Sequence, residues 1–232
     1  MRVAALYDVH GNLPALEAVL ADPRLAGADV LVSGGDVCAG PMPTEVLRLL
    51  RRHGARFVRG NADRELTGWP AQLLGEPERD VLRDWPGTLT LEIVGLGSVL
   101  FCHGTPGDDS EVLTGATPDE AVAEAVSGTP ADVIVCGHTH VQYDRLVGDI
   151  RVVNAGSVGM PYEGRTAAFW ALLGPGVELV STDYDVDGAV AAMRATGHPD
   201  VEEIVGTLLT PHSADEANEV FEARRKAAGS AS

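Results

Sequence analysis

Basic residues are scarce in this chain: 17 Lys and Arg stand against 34 Asp and Glu, a formal net charge of −17 over 232 residues. No basic stripe is present to neutralise a phosphate backbone, so a partner that is long nucleic acid is not expected. Lysine is nearly absent, with Lys226 the single one, and that imbalance carries no mechanism. No apolar run approaches the roughly 20 residues of a membrane span, so no membrane partner is expected. Met1 runs almost at once into the first strand pattern, without a basic segment or an apolar segment to cleave. A secretory leader is therefore not expected, and the cytoplasm is the expected compartment. The three cysteines, Cys38, Cys102 and Cys136, are odd in number and lack a disulfide spacing, as suits a reducing compartment. They lie beside polar motifs, which raises a ligand role. Cys102 and Cys136, however, close apolar strand patterns, where a free thiol packs well.

Apolar residues make up 45% and charged residues 22% of the chain, ordinary for a globular protein with a substantial core. The pattern alternates strand and helix. A strand at Val3–Tyr7 precedes a helix at about Leu13–Ala21, and Val30–Ser33 precedes a helix opened by Pro43 and Thr44 that runs to about Arg52. After Arg56–Val58, the stretch from Arg64 to Trp85 reads as helix in two pieces, broken by Pro70 and Pro77. Thr88–Val94 and Ser98–Cys102 flank Gly95-Leu96-Gly97 as a hairpin. Thr117-Pro118-Asp119-Glu120 reads as a capping box for a helix reaching about Ser127. Strands follow around Asp132–Cys136, Gln142–Val147, Arg151–Val153, Ala167–Leu173 and Val177–Thr182. From Val186 the chain is helical, with a second capping box at Ser213–Glu216 and a frayed Gly-Ser end. No repeat or linker interrupts it. The expectation is a single domain over 1–232, with an α/β core over about 1–185, strands feeding a common edge, and a helical tail over about 186–228 packed outside.

Four polar motifs punctuate the strand ends: Asp8-Val9-His10, Gly34-Gly35-Asp36, Gly60-Asn61-Ala62-Asp63 and Gly137-His138-Thr139-His140, joined by His103. Any one of them alone fits a turn. Strand ends of an open α/β sheet are where ligand sites collect, and five that deliver Asp, His and Asn point to metal. Asp8 and His10 can turn toward one ion where the chain leaves extended geometry. The glycines before Asp36 let its carboxylate come close to a cation, and a carboxylate can bridge two ions. Asn61 adds a neutral amide oxygen, and His103, His138 and His140 add imidazoles. This mixed donor set suits Mn, Fe, Zn, Co or Ni better than Ca or Mg. Two ions about 3.5–4 Å apart can polarise a phosphoryl oxygen and hold a bridging hydroxide for in-line attack. Only Asp8 and Asp36 would be anionic among the ligands, so two divalent cations make the pocket locally positive inside an acidic protein. Asp63 orients a bound water or His103, or else caps the helix near Arg64. His53, His198 and His212 fall outside the motifs and read as surface or capping residues.

The ordered motifs resemble those of the calcineurin-like metallophosphoesterase superfamily, in its small bacterial and archaeal phosphodiesterase-type branch. The resemblance spans roughly Val3 to Asp183 and includes Asn154-Ala155-Gly156-Ser157-Val158-Gly159, similar to the loop that closes over the site in that family. It implies a four-layer α/β/β/α sandwich of two mixed sheets with helices outside, the tail being a C-terminal helical extension. It implies that Asp8, His10, Asp36 and His140 hold one metal, and Asp36, Asn61, His103 and His138 the other, manganese heading the candidates. Catalytic roles then fall to Asp36, Asn61, Asp63 and His103. Asn61 and Arg165 are the expected substrate contacts, Arg165 from the rim that follows the loop, with a surface ion pair as its alternative. The implied activity is hydrolysis of a small phosphoester, most simply a diester. A phosphomonoesterase, a phosphoprotein or dinucleoside polyphosphate hydrolase, and an interaction scaffold like the retromer subunit of this fold stay open. A monomer and a homodimer are equally compatible with the sequence. One departure stands out: many relatives carry His after the motif asparagine, as a proton donor to the leaving oxygen, and here that position is Ala62.

Overall fold

The computed structural model describes residues 1–229, so the predicted Gly-Ser end falls largely outside them. Alternation within the strands builds the layers. In β1 (Val3–Leu6), Val3, Ala5 and the following Tyr7 face one way and Ala4 and Leu6 the other, as the two-residue period of a strand requires. The same split recurs in β5 (Gly97–Cys102), where Val99 and Phe101 oppose Leu100 and Cys102, and in β6 (Val133–Cys136). Both faces of these strands are therefore buried, and each face meets a different layer.

Two five-stranded mixed sheets result. The first has β1 parallel to β2 (Val30–Ser33), which is parallel to β3 (Arg56–Phe57). On its other side β1 is antiparallel to β9 (Ala168–Leu173), which pairs with β10 (Val177–Thr182). The second runs β4 (Thr88–Ile93), β5, β6, β8 (Ile150–Asn154) and β7 (Tyr143–Val147), with β5, β6 and β8 mutually parallel. Val3, Ala5 and Tyr7 pack against Val99, Phe101 and Val135 between the sheets. The Tyr7 hydroxyl donates to the carbonyl of Val135 at 2.8 Å, a polar tie across that apolar layer. Outside the first sheet lie α1 (Leu13–Ala21) and α2 (Pro43–Arg52), and outside the second lies α6 (Asp119–Ala125). The four-layer expectation is met.

Three local readings change. The stretch after β3 forms three short helices, α3 (Asn61–Arg64), α4 (Gly68–Leu73) and α5 (Glu76–Arg83). Pro70 and Pro77 sit inside the first turns of α4 and α5, where no intrahelical N–H is lost, so they begin helices instead of breaking one. The capping box at Thr117 does not form. The Thr117 hydroxyl bonds the Glu222 carboxylate and accepts the Thr114 N–H, and α6 starts without a side-chain cap. The tail folds as α7 (Val186–Ala195), α8 (Val201–Leu209) and α9 (Ala214–Gly229), and the Ser213–Glu216 box is made in both directions. α7 and α8 pack outside, around Met42, Val190, Met193 and Leu208. α9 does not stay outside: Phe221 reaches the ring of His138.

Among the described residues no helix is long and apolar enough to cross a membrane. The three cysteines are free and buried, and burial pushes the Cys136 thiol up to about 12 and those of Cys38 and Cys102 well above their usual range. No cysteine belongs to the clusters with metal-ligand geometry found among the described residues.

Candidate metal centre

The parallel strands β1, β2, β5 and β6, with β3 beside them, end at one side of the two sheets, and the motif residues follow at once. The loops are stitched by their own backbones. Asp8 N–H donates to the Gly35 carbonyl at 3.1 Å, His10 N–H to Asp36 at 3.0 Å and Gly137 N–H to His103 at 2.9 Å. Glycine is required where these loops touch. A Cβ on Gly60 would lie 2.1 Å from Oδ1 of Asp36, and one on Gly34 would lie 1.9 Å from the Tyr7 ring. Side chains at either position would push the loops apart.

Backbone strain marks the same residues. Asp8, His10, Asp36, His138 and His140 have φ of 53°, 45°, 52°, 64° and 58°, and no other described residue but glycine lies in the left-handed region. Asp and His tolerate it better than most residues, yet each costs roughly 1 kcal/mol or more. Five together approach the whole net stability of a small domain, about 5–15 kcal/mol. Folding alone does not select such a set. Strain of this kind gathers where a chain must present side chains to a ligand.

The imidazoles are locked by their far nitrogens. Nδ1 of His10, His103 and His140 lies 3.2, 2.9 and 2.6 Å from the carbonyls of Ala39, Gly34 and Met160. A carbonyl only accepts, so each Nδ1 carries a proton and each Nε2 is the nitrogen turned toward the cluster. Those nitrogens converge. Nε2 of His10 and Nε2 of His140 are 3.2 Å apart, and Nε2 of His140 is 3.1 Å from Oδ1 of Asp8. Oδ2 of Asp36 stands 3.4 Å from Nε2 of His103 and 3.9 Å from Nε2 of His10, so one oxygen faces imidazoles of both halves. Two clusters with metal-ligand geometry emerge, Asp8 with His10 and His140, and Asp36 with His103 and His138.

Three buried atoms here have no hydrogen-bond partner: Oδ1 of Asp8, Oδ1 of Asn61 and Nε2 of His103. Each orphaned buried group costs about 1–3 kcal/mol, and three in one place is a deficit that cations remove. Charge tells the same story. Burial would raise the Asp36 carboxyl, but the neighbouring His103 and His10 hold it down to about 2. Burial would lower His103, but Asp36 and Asp8 carry it up to about 10. His138, half-buried and beside His103, is pressed down to about 4 by desolvation and by that neighbour. The residues fit a pair of divalent cations with N and O ligands.

Two of the expected site residues have partners of their own. Asp63 was expected among the catalytic residues, yet its carboxylate accepts backbone N–H groups of Asp36 at 2.7 Å, Val37 at 3.0 Å and Gly60 at 3.2 Å. Its oxygens are committed to shaping the Asp36 loop and capping α3, so it positions a ligand. Arg165 was expected at the substrate. It pairs instead with Asp183 at 3.0 Å, bonds Ser181 and lies over Phe169, and no contact joins it to the ligand cluster among the described residues. An ion pair with a surface acid was the alternative reading of Arg165. Asn154 ties the site together, donating to the Gly137 carbonyl at 2.6 Å, and the Ser157 hydroxyl donates to that of Asp8 at 2.8 Å. The Asn154–Gly159 loop is thus a brace for the ligand loops.

Sequence reasoning missed the aromatic rim. Tyr162 stacks on His140 with centroids 5.0 Å apart, and Phe221 of α9 lies 6.3 Å from both Tyr162 and His138. His212, read as surface or capping, stands edge-on to Tyr162 at 6.1 Å. The only signal in the sequence was the placement of Tyr162 after the bracing loop; nothing marked Phe221.

Comparison with known proteins places this geometry in context. The family model of the calcineurin-like phosphoesterase superfamily domain matches residues 1–173. The phosphodiesterase YfcE of Escherichia coli K12 is 32% identical over 183 residues, covering 74% of this chain and 87% of that protein. A metallophosphoesterase from Sphaerobacter thermophilus superposes with a TM-score of 0.74 at 27% identity, covering 90% of this chain and 99% of its own. The hypothetical protein PH1004 of Pyrococcus horikoshii OT3 has the same fold at a TM-score of 0.80 and 19% identity, over 91% of this chain and 99% of that one.

Proposed function

The chain belongs to the calcineurin-like phosphoesterase superfamily and is a metal-dependent phosphoester hydrolase, and from that premise we propose that it is a dinuclear phosphodiesterase acting on small phosphoesters. The observation that carries the dinuclear reading is the Asp36 carboxylate, whose Oδ2 stands 3.4 Å from Nε2 of His103 in one cluster and 3.9 Å from Nε2 of His10 in the other. Nε2 of His10 and Nε2 of His140 face each other at 3.2 Å while both Nδ1 protons are held elsewhere. Two imidazole nitrogens approach so closely only with a proton or a cation between them.

In this reading Asp8, His10, Asp36 and His140 would hold one ion and Asp36, Asn61, His103 and His138 would hold the other. Manganese leads the candidates, with Fe, Co, Ni or Zn of the same class. Two such ions supply Lewis acidity at the phosphoryl oxygen and a nucleophile at neutral pH. The protein does the rest by holding geometry. The carbonyls of Ala39, Gly34 and Met160 fix the ring orientation of three imidazoles, and Asp63 fixes the Asp36 loop. Nε2 of His103 is presented through Gly34, and the Asn61 amide oxygen is left unpaired for an ion or a substrate. His10, Asn61 and His138 keep some exposure, so the substrate enters past them. A cytoplasmic setting and a single domain over the whole chain belong to the same reading, supported by the free cysteines and the absence of a composition break.

The YfcE name supports a diester, and position 62 gives the preference a physical basis. Ala62 has no proton to give a leaving oxygen, and general acid help is worth about 10²–10⁴-fold. Diesters with acidic leaving groups, such as bis-p-nitrophenyl phosphate, should therefore outrun alkyl monoesters. Metal-stripped protein refilled with Mn, Ni, Co, Zn or Mg and offered both classes tests this. The expected kcat/KM falls steeply as the leaving-group pKa rises. A flat dependence would contradict the missing acid and would direct attention to His198, the imidazole that lines the same cleft as Asn61 and Ala62. Equal or better turnover of alkyl monoesters would contradict the diester preference itself.

A further inference from the structure

α9 is seated, not loosely appended. The buried Glu222 carboxylate accepts the Thr114 hydroxyl at 2.8 Å, bonds the Thr117 hydroxyl, and accepts Nε of Arg225 at 2.9 Å. One helical turn fixes the register of the rest, so Phe221 and Arg224 are presented at a defined place. That place is the mouth of the metal centre. A cleft of about 680 Å³ runs between α9, α6 and the 108–113 loop, and its wall includes His138, Phe221, Arg224 and Leu113. Its volume is that of a small-molecule site, and it opens onto a ligand of the second cluster.

The chemistry of the wall narrows the occupant. Phe221 is partly exposed and sits 6.3 Å from His138, and the Arg224 guanidinium carbon lies 5.5 Å from the Phe221 centroid. Arg224 makes no ion pair among the described residues, whereas Arg225 is engaged by Glu222. The guanidinium lies over the Phe221 ring, and the outer faces of that pair are stacking surfaces for a planar heterocycle. The same cleft is lined by Asp108, Glu111 and Glu124. Three carboxylates against one unpaired cation repel additional phosphates while accepting from hydroxyl or amino groups.

We propose that α9 completes the active site, Phe221 and Arg224 gripping the planar base of a nucleoside-type phosphodiester whose single phosphate lies at the ligand cluster. This rests on the phosphoesterase reading above and adds the substrate class. Dinucleoside polyphosphates are disfavoured by the acidic residues of the cleft.

Equilibrium binding to the metal-loaded full chain tests the proposal apart from turnover. Calorimetry with adenosine 5′-monophosphate, methyl phosphate and adenosine 5′-diphosphate separates base from phosphate. The monophosphate should bind about tenfold or more tighter than methyl phosphate, the size of one base–aromatic stack, and the diphosphate should gain no more than a few-fold. Phe221→Leu keeps the apolar volume that seats α9 and removes the ring, and Arg224→Ala removes the guanidinium. Each should cut the preference for the nucleotide several-fold and leave methyl phosphate binding and melting temperature unchanged. Equal binding of nucleotide and methyl phosphate, or a preference untouched in both variants, would overturn the proposal, as would a diphosphate bound far more tightly than the monophosphate. If the nucleotide preference holds but no diester is cleaved, the functional reading fails while the cleft assignment stands.

Discussion

Oδ2 of Asp36 faces His103 at 3.4 Å and His10 at 3.9 Å, while its Oδ1 is held by the Ala62 N–H at 2.8 Å. One carboxylate oxygen is thus tied to the backbone and the other offered to both clusters. Asp36→Asn should fold and should lose both ions together, a loss that elemental analysis reads directly. Two tightly held metals in that variant would contradict the bridging role. These residues were legible because Asp, His and Asn at five strand ends match no requirement of a core. Arg165 was not, because a lone arginine beside a glycine-rich loop looks the same whether it meets a phosphate or, as here, Asp183. Asp63 was half legible: its type and place announced a role at the site, but only coordinates show its oxygens filled by backbone donors.

At the scale of elements, strand alternation and helix starts carried most of the fold. Leu13–Ala21 and Pro43–Arg52 appear as read, since their apolar faces repeat at helical spacing and proline opens both. The stretch after β3 was misjudged because a proline in a first turn and a proline that ends a helix look alike in sequence. Thr117 was misjudged for another reason: a distant partner, Glu222 on α9, competes for its hydroxyl. The element that matters most to the site is α3. Asp63, at its third position, accepts N–H groups from its own N-terminus and from the Asp36 loop. Asp63→Asn places an amide where an acceptor is needed and should cost about 1–3 kcal/mol. Urea unfolding should show that loss, with weaker metal retention beside it. Unchanged stability and metal content would mean that the Asp36 loop holds its shape without Asp63.

Across the whole molecule, the two sheets bring together loops far apart in sequence, and the metal-free protein answers the convergence of charge with protons. His103 is carried above its ordinary 6.5 to about 10 by Asp36 and Asp8 in spite of burial. A group raised on folding stabilises fully below its unfolded value and loses that contribution as pH rises through the folded one. The metal-free protein should therefore lose stability between about pH 6.5 and 10. His138, held down to about 4, acts with the opposite sign, but only below 6.5. Bound cations take the place of the His103 proton, so the loaded protein should not share the alkaline loss, and its metal affinity should rise with pH across the same interval. Melting temperature against pH, with and without metal, reads both. Parallel curves would mean that the carboxylates and His103 do not share a cation site.

The central claim is that these seven residues hold two cations which together enable hydrolysis. Titrating metal-stripped chain with manganese, while following bound metal and hydrolysis of bis-p-nitrophenyl phosphate, addresses it most directly. The account predicts that bound metal saturates at two ions per chain and that full turnover requires the second. Saturation at one ion with full turnover, or hydrolysis that persists in the folded, metal-free chain, would contradict it.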